Sequence, residues 1–373
     1  MSAPAFGADE DWRWMQAALN LGERSLGLAA PNPSVGAILV KDGAVVGRGV
    51  TAPGGRPHAE RSALAEAGHA ARGATLYVTL EPCAHFGASP PCADAVIEAG
   101  VARVVSAIED PNPEVAGQGH ARLSAAGIAV TVGPGSDQAR RDHVGHIRRV
   151  TEGRAAVTLK LAETADGFAS GGPHDPRLKI TGPIANARVQ ILRATHDAIM
   201  VGVETALADD PALTVRLPGV VRKPWRVALD TRLRLPLRSR LAARARELPT
   251  LAIAGPDAPA DAEERLTERG VVVERVALDG EGHVDLGAAL RALSARGVTR
   301  VFSEGGPRVA ARLIALGLAD TVVIFAAEKP LGRPGIQALS EEARAALRDT
   351  SRYRPVETAA YGSDAIRMWE RTG

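Results

Sequence analysis

Aromatic residues make up only 3% of this 373-residue chain, cysteine occurs twice, and acids nearly cancel bases. Each shortage excludes something. With 45 Lys and Arg against 43 Asp and Glu, net charge +2, there is no broad cationic field to hold nucleic acid or an anionic membrane. The scarcity of aromatics removes the stacking platform that single-stranded nucleic acid needs. Two cysteines, Cys83 and Cys92, cannot form a disulfide framework for a chain of this size, and in a reducing compartment a close pair points to a metal or redox site. No apolar run approaches the roughly 18–20 residues that span a bilayer. Asp9, Glu10 and Asp11 stand where a signal peptide would be basic, so the expected location is cytoplasmic. What is present is ordinary for a globular chain, 45% hydrophobic and 24% charged, which excludes disorder and fibres. At roughly 150 residues per domain, the length predicts two or three domains.

Strand-like and helix-like segments alternate along nearly the whole chain, the pattern of an α/β protein. Residues 11–28 carry apolar positions at helical spacing, and Ala-Pro-Asn-Pro at 30–33 stops that helix. VGAILV and AVVGRGV follow as two strands joined by Lys41-Asp42-Gly43, whose Asp-Gly signals a hairpin. A helix from His58, the strand ATLYVTL, a helix from about Ala93, the strand RVVSAIED, a helix near 117–126 and the strand IAVTVG complete one mixed sheet. The polar, basic stretch 136–154 predicts a helix ending in a connector, with His143 and His146 on a solvated face. A second series starts at Ala155, with strands AAVTLKLA, HDAIMVG, WRVALD, TLAIAG, GVVVERV, TRVFSEGG and DTVVIFAA. The expected domains are residues 1–145 and 146–373.

The first half contains a constellation with metal-ligand chemistry. His58-Ala59-Glu60 opens a helix, Glu81-Pro82-Cys83 ends a strand, and Pro91-Cys92 opens the next helix. A hydrolytic zinc takes three protein ligands and keeps one position open for water. One imidazole and two thiolates meet that count, and a thiolate at a helix start gains from the helix dipole. Glu60 lies two residues past His58, roughly 200° around a helix, so it is badly placed as a fourth ligand and better placed to move protons beside a bound water. H-x-E followed by P-C-x-x-C is the signature of zinc nucleobase deaminases. This chain has the first part and Pro-Cys twice, with eight residues between the cysteines.

The second half has no G-x-G-x-x-G after a strand, so an ordinary dinucleotide-binding fingerprint is lacking. It has instead VFSEGGPRVAARLIALGL, a strand, a Gly-Gly-Pro loop and a helix, a turn in which backbone amides can approach a pyrophosphate.

TLEPCAHFGASPPCADAVIEAG, with PNPSVGAILV upstream and DPNPEVAGQGH downstream, resembles the deaminase half of the bifunctional riboflavin-biosynthesis deaminase/reductase family, where the longer cysteine spacing is usual. LKLAETADGFAS, KITGPIANARVQILRATHDAIMVGVETALADDPALTVR and FSEGGPRVAARLIALGLAD look like the reductase half of the same family. The resemblance implies an N-terminal cytidine-deaminase-like α/β/α sandwich followed by a dihydrofolate-reductase-like α/β domain. It implies zinc on His58, Cys83 and Cys92, with Glu60 catalytic, and NADPH as the second cofactor. For NADPH it implies contacts from Ala162, Lys179, Thr181, Thr205, Asp209 and the run Gly306, Pro307, Arg308, Val309, Ala310, Ala311 and Arg312. For the substrate it implies Lys160, Arg177, Arg193, Leu213, Arg216 and Glu304. The implied partners are small pyrimidine ribotides, with no nucleic acid and no membrane, and the sequence leaves room for a homo-oligomer. Three segments depart from the family: Thr164-Ala165-Asp166-Gly167 for Ser-Leu-Asp-Gly, Lys179-Ile180-Thr181 for Trp-Ile-Thr, and His143-Val144-Gly145-His146-Ile147 in the connector.

Overall fold

The computed structural model of the chain describes residues 8–87, 90–172, 175 and 178–373. It divides into two compact units, Met1–Gly153 and Arg154–Gly373. Among the described residues no helix is long and apolar enough to cross a membrane.

In the first unit, β1 (Gly36–Lys41) and β2 (Ala44–Val50) form the expected hairpin. Asp42 and Gly43 have φ of 51° and 75°, the left-handed values that a two-residue turn between twisted strands demands. β3 (Thr75–Val78), β4 (Arg103–Ser106) and β5 (Ala129–Val132) complete a sheet of order β2-β1-β3-β4-β5. β1 is antiparallel to both neighbours, while β3, β4 and β5 run parallel. β3 and β4 are buried at every position, because helices cover both faces of the sheet. Those helices are α1 (Ala8–Gly22), α2 (Ala59–Ala67), α3 (Cys92–Glu98), α4 (Gln118–Ala125), α5 (Ser136–Asp142) and α6 (Val144–Glu152).

Two expectations need correction here. The first helix ends at Gly22, followed by one 3-10 turn over Glu23–Ser25, instead of running to residue 28. Ser25 and Ser34 both donate to the Gly22 carbonyl, satisfying an orphan acceptor at the helix end. α1 also approaches β1 so closely that a Cβ on Gly36 would overlap the Ala18 carbonyl. The basic connector is two helices broken at His143, and it is not a solvated face at that residue. His143 is 1% exposed with Nε2 3.1 Å from Thr79 Oγ1, and His146 Nε2 lies 3.2 Å from Asp110. α6 spans the division expected at 145/146 and groups with the first unit.

Asp11, one of the three acids near the N-terminus, is buried. It accepts from both Nη1 and Nη2 of Arg103 at 2.8 and 2.6 Å and from the Tyr77 hydroxyl at 2.8 Å, tying α1 to β4 and β3. Removing one partner of a buried pair strands the other charge, at a cost of roughly 3–5 kcal/mol. Asp11→Ala should therefore lower the thermal unfolding midpoint of the first unit by several degrees, read calorimetrically. An unchanged midpoint would contradict that account.

The second unit carries a nine-stranded sheet of order β11-β10-β9-β8-β12-β6-β13-β16-β15. Its strands are β6 (Ala156–Glu163), β8 (Ala198–Gly202), β9 (Trp225–Leu229), β10 (Thr250–Ala254), β11 (Val272–Arg275), β12 (Arg300–Ser303), β13 (Thr321–Ala326), β15 (Tyr353–Tyr361) and β16 (Asp364–Arg371). A separate ribbon pairs β7 (Phe168–Ser170) with β14 (Ile336–Gln337). The helices are α7 (Pro183–Ala194), α8 (Val203–Asp209), α9 (Arg240–Ala243), α10 (Ala260–Glu268), α11 (Leu286–Ala295), α12 (Pro307–Ala315) and α13 (Glu341–Arg348). Strands from β11 to β13 are parallel, and β13, β16 and β15 are successively antiparallel.

Side chains of successive strand residues enter two different cores. Leu159 and Leu161 pack with Leu290 and Leu313 on one face, while Ile199, Val201, Phe302 and Phe325 pack with Val189 and Leu241 on the other. β12 inserts between β6 and β8, so the C-terminal ends of these three parallel strands lie side by side. In an open α/β sheet such a crevice is where ligands bind.

Candidate active sites

In the first unit, His58 is the N-cap of α2 with extended backbone (φ −70°, ψ 158°), so the helical arc assumed from the sequence begins only after it. Its Nδ1 stands 3.4 Å from Cys92 Sγ and 3.8 Å from Cys83 Sγ. The three donor atoms all lie within 4.8 Å of one another. Cys92 is the first residue of α3, and its N–H donates to Cys83 Sγ at 3.3 Å. The Cys83 thiol is brought down to about 4, first by the Cys92 hydrogen bond and then, against burial, by His58. The same hydrogen bond, with burial, pushes the Cys92 thiol up.

Glu60, in the first turn of α2, is 4% exposed. Burial, with Cys83 adding repulsion, raises its carboxyl to about 7. A buried carboxyl near neutrality can both take and return a proton. Soft nitrogen and sulfur donors in this number suit zinc and leave a fourth position open.

Two supporting residues carry no role in the sequence reading. Asn32 Nδ2 donates to the Gly55 carbonyl at 2.9 Å and lies 3.3 Å from His58 Nε2, leaving Nδ1 turned to the sulfurs. Gly55, at φ 91°, has no Cβ to collide with the Asn32 side chain. Asn32, held by its bond to Gly55, thus packs against the edge of the imidazole that faces away from the sulfurs. Glu81, two residues before Cys83, accepts from the backbone N–H of Asp110, Gly117, Gly119 and His120 at 2.7–3.1 Å. It thereby satisfies the N-terminus of α4 and anchors the Cys83 segment. Glu81, Glu109 and His120 also cluster, but Glu81 is already committed to these amides.

In the second unit, Glu304 follows β12 and its N–H donates to Met200 O at 2.8 Å. Arg193, on α7 and 7% exposed, grips the Glu304 carboxylate with Nε and Nη2 at 2.5 and 2.9 Å, and donates from Nη1 to the Thr214 carbonyl at 2.9 Å. The guanidinium fork is thus spent on protein partners. Burial works to raise the Glu304 carboxyl, but Arg193, aided by Lys160 and Arg216, holds it below its ordinary value. Lys160 lies on β6 with its ammonium 5.9 Å from the Phe325 ring centroid. The structure therefore gathers Lys160, Arg193, Arg216 and Glu304 in one charged cluster. Leu213 stands in the loop next to Thr214, buried and at φ 46°, a strained value for a branched side chain.

Of the residues that the resemblance assigns to the cofactor, several meet where α8 and α12 begin and others do not. Gly306 is the N-cap of α12, and a Cβ there would stand 2.8 Å from Thr205 Oγ1 on α8. Val309 packs against Gly202 and Gly305, at the starts of these two helices. Pro307, Ala310 and Ala311 continue α12, and Asp209 closes α8. Ala162 pairs in register with Phe325. Arg308 points to solvent, and Arg312 is held by Asp279 and the Val284 carbonyl. Thr181 is buried and donates to Asn186 Oδ1, whereas Lys179 is exposed. Arg177 lies outside the described residues. At the Thr164 departure the hydroxyl donates to Asp166 Oδ1 at 2.6 Å and accepts from Phe168 N–H at 3.0 Å, work a serine would do equally.

Comparison with known proteins bears on both units. The family model of the cytidine and deoxycytidylate deaminase zinc-binding region matches residues 8–108, and that of the RibD C-terminal domain matches residues 155–366. The chain is 40% identical over 322 residues to riboflavin biosynthesis protein RibD of Aquifex aeolicus, covering 86% of this chain and 88% of that one. It is 38% identical over 344 residues to RibD of Escherichia coli, covering 89% and 94%. Among solved structures, Acinetobacter baumannii RibD superposes with a TM-score of 0.85 at 33% identity, covering 98% of this chain and 100% of that chain. A diaminohydroxyphosphoribosylaminopyrimidine deaminase/5-amino-6-(5-phosphoribosylamino)uracil reductase from Thermotoga maritima superposes with a TM-score of 0.82 at 31% identity, covering 98% and 99%.

Proposed function

Because this chain belongs to the RibD family of bifunctional riboflavin-biosynthesis enzymes, with a zinc deaminase domain and an NADPH-dependent reductase domain, we propose which of its residues carry each reaction. The first unit removes the ring amino group of 2,5-diamino-6-(5-phosphoribosylamino)pyrimidin-4(3H)-one as ammonia. The second reduces the ribose of the resulting 5-amino-6-(5-phosphoribosylamino)uracil to ribityl.

The observation that carries the first assignment is the convergence of His58 Nδ1, Cys83 Sγ and Cys92 Sγ, with Glu60 buried alongside. These three atoms would hold the zinc, which would supply Lewis acidity to a water at neutral pH. Glu60 is placed to take a proton from the attacking water and return it to the departing amine. Asn32 and Glu81 keep the ligands in place. Cys83→Ser protein should lose its zinc on metal analysis, because a hydroxyl is a far poorer soft donor than a thiolate. Full occupancy in that variant would overturn the ligand set.

In the second unit Lys160 and Glu304 face the ribose, and Arg216 and Leu213 line the substrate side. Arg193 serves by fixing Glu304 and the Thr214 loop. When bound, NADPH supplies the hydride for C1 of the ring-opened ribose. The amides that open α12 after Gly306 would receive its phosphates, since a helix N-terminus favours anions, and Thr205 and Asp209 would line the rest of the cofactor. Ala162, Thr181, Lys179 and Arg308 border this cofactor path, and Arg177 belongs with the substrate group by sequence alone. The reactants of both steps are small molecules, and the chain's main contribution to the second is to position them.

A further inference from the structure

On the sheet face opposite Lys160 lies a cavity of about 180 Å³ that neither reaction uses. Its floor is Ile324 of β13, which shares a core with Leu159 and Leu161, whereas Phe325 beneath Lys160 belongs to the other core. Leu339, Leu347 of α13 and Trp369 of β16 add apolar walls. Three guanidinium groups complete the lining, Arg344 and Arg348 from α13 and Arg367 from β16, beside Ile324 in the strand register.

Their hydrogen bonds within the chain leave donors that a ligand could take. Arg344 and Arg367 each reach the buried carboxylate of Glu163 through Nη2 alone, at 2.7 and 2.6 Å, with Arg344 Nη2 also 3.4 Å from the Gly167 carbonyl. Arg348 reaches Glu341 through Nη2 alone at 2.6 Å, in an exposed pair of the kind that contributes little. Nε and Nη1 of all three have no bond to a described residue. Three positive charges thus meet one buried carboxylate and one solvated carboxylate, beside an indole and three aliphatic side chains.

We propose that this cavity binds a compact anion carried on a planar apolar body, an aromatic carboxylate in chemical class. The charged end would take the idle guanidinium donors, which match carboxylate geometry. The ring would lie against Trp369, Ile324 and Leu347 and withdraw apolar surface from water.

The test is titration of the full-length protein with benzoate, followed through Trp369 fluorescence. Saturable quenching with one site per chain is expected, absent from Trp369→Phe protein. Arg348→Gln, an exposed change that leaves the Glu163 pairs intact, should weaken benzoate roughly tenfold, and neutral benzyl alcohol should bind parent protein more weakly by a similar factor. Absence of saturation would overturn the site, as would quenching that persists without Trp369 or affinity indifferent to Arg348. Inorganic phosphate binding as tightly as benzoate would overturn the requirement for an apolar body.

Discussion

Glu60→Gln protein should keep its zinc and its reductase activity while deamination falls by at least ~10²-fold, the scale of general acid-base catalysis. Glutamine preserves shape and the ability to lie in a buried pocket, but it cannot accept and release a proton. The ligand set is untouched because Glu60 sits in the first turn of α2, whereas the donor atoms come from the N-cap His58 and from the two cysteines. The reductase should be indifferent, since its charged cluster is built wholly from the second unit. Metal analysis, product assay of the diaminopyrimidine ribotide and NADPH oxidation on pre-deaminated substrate separate these outcomes. Parent-level deamination in Glu60→Gln would remove the proton shuttle from the mechanism.

Lys160→Ala should produce the mirror image, with reduction falling by roughly 10²-fold or more, the range associated with losing one preorganised electrostatic contact. An ammonium in the middle of β6 is costly unless it meets a counter-charge or a ligand, and here it faces the Glu304 side of the cluster. Zinc content and deamination should stay at parent values. The same assay run with NADPH against NADH should favour NADPH, because an additional phosphate near helix N-termini gains charge-assisted hydrogen bonds that NADH cannot make. Equal use of both cofactors would contradict the cofactor placement, and a fully active Lys160→Ala enzyme would contradict the role of the lysine.

The residues legible in sequence were those whose meaning is local. His58 with Glu60, and each Pro-Cys, lie at element ends where a few neighbouring residues fix the backbone, so the convergence of one imidazole and two thiols could be anticipated. The seven strands from AAVTLKLA to DTVVIFAA were legible because a parallel sheet buried on both faces writes itself as apolar runs. β15 and β16 were missed for the opposite reason. They form an edge hairpin with polar residues such as Arg354, Glu357, Arg367 and Glu370 interleaved, and only pairing with β13 explains them.

Partnerships across long sequence separations were equally invisible. Nothing near Asp11 announces Arg103, and nothing near Glu81 announces the amides that open α4. Arg193 is instructive in the same way. The family resemblance implies a substrate contact, but which acceptor occupies its fork depends on Glu304, far along the chain. His143 reads as a polar residue on a basic helix and is instead buried against Thr79, because helix α5 ends there and turns the ring inward.

The most direct test of the whole account is to supply the diaminopyrimidine ribotide to the purified zinc-loaded chain, with and without NADPH, and identify the products by mass. Without NADPH, the product should have exchanged one ring amino group for oxygen and stop there. With NADPH, it should carry two further hydrogens on the sugar. An unchanged ribotide in both incubations, or reduction of the sugar with the amino group still in place, would contradict a zinc deaminase followed by an NADPH-dependent reductase on one chain.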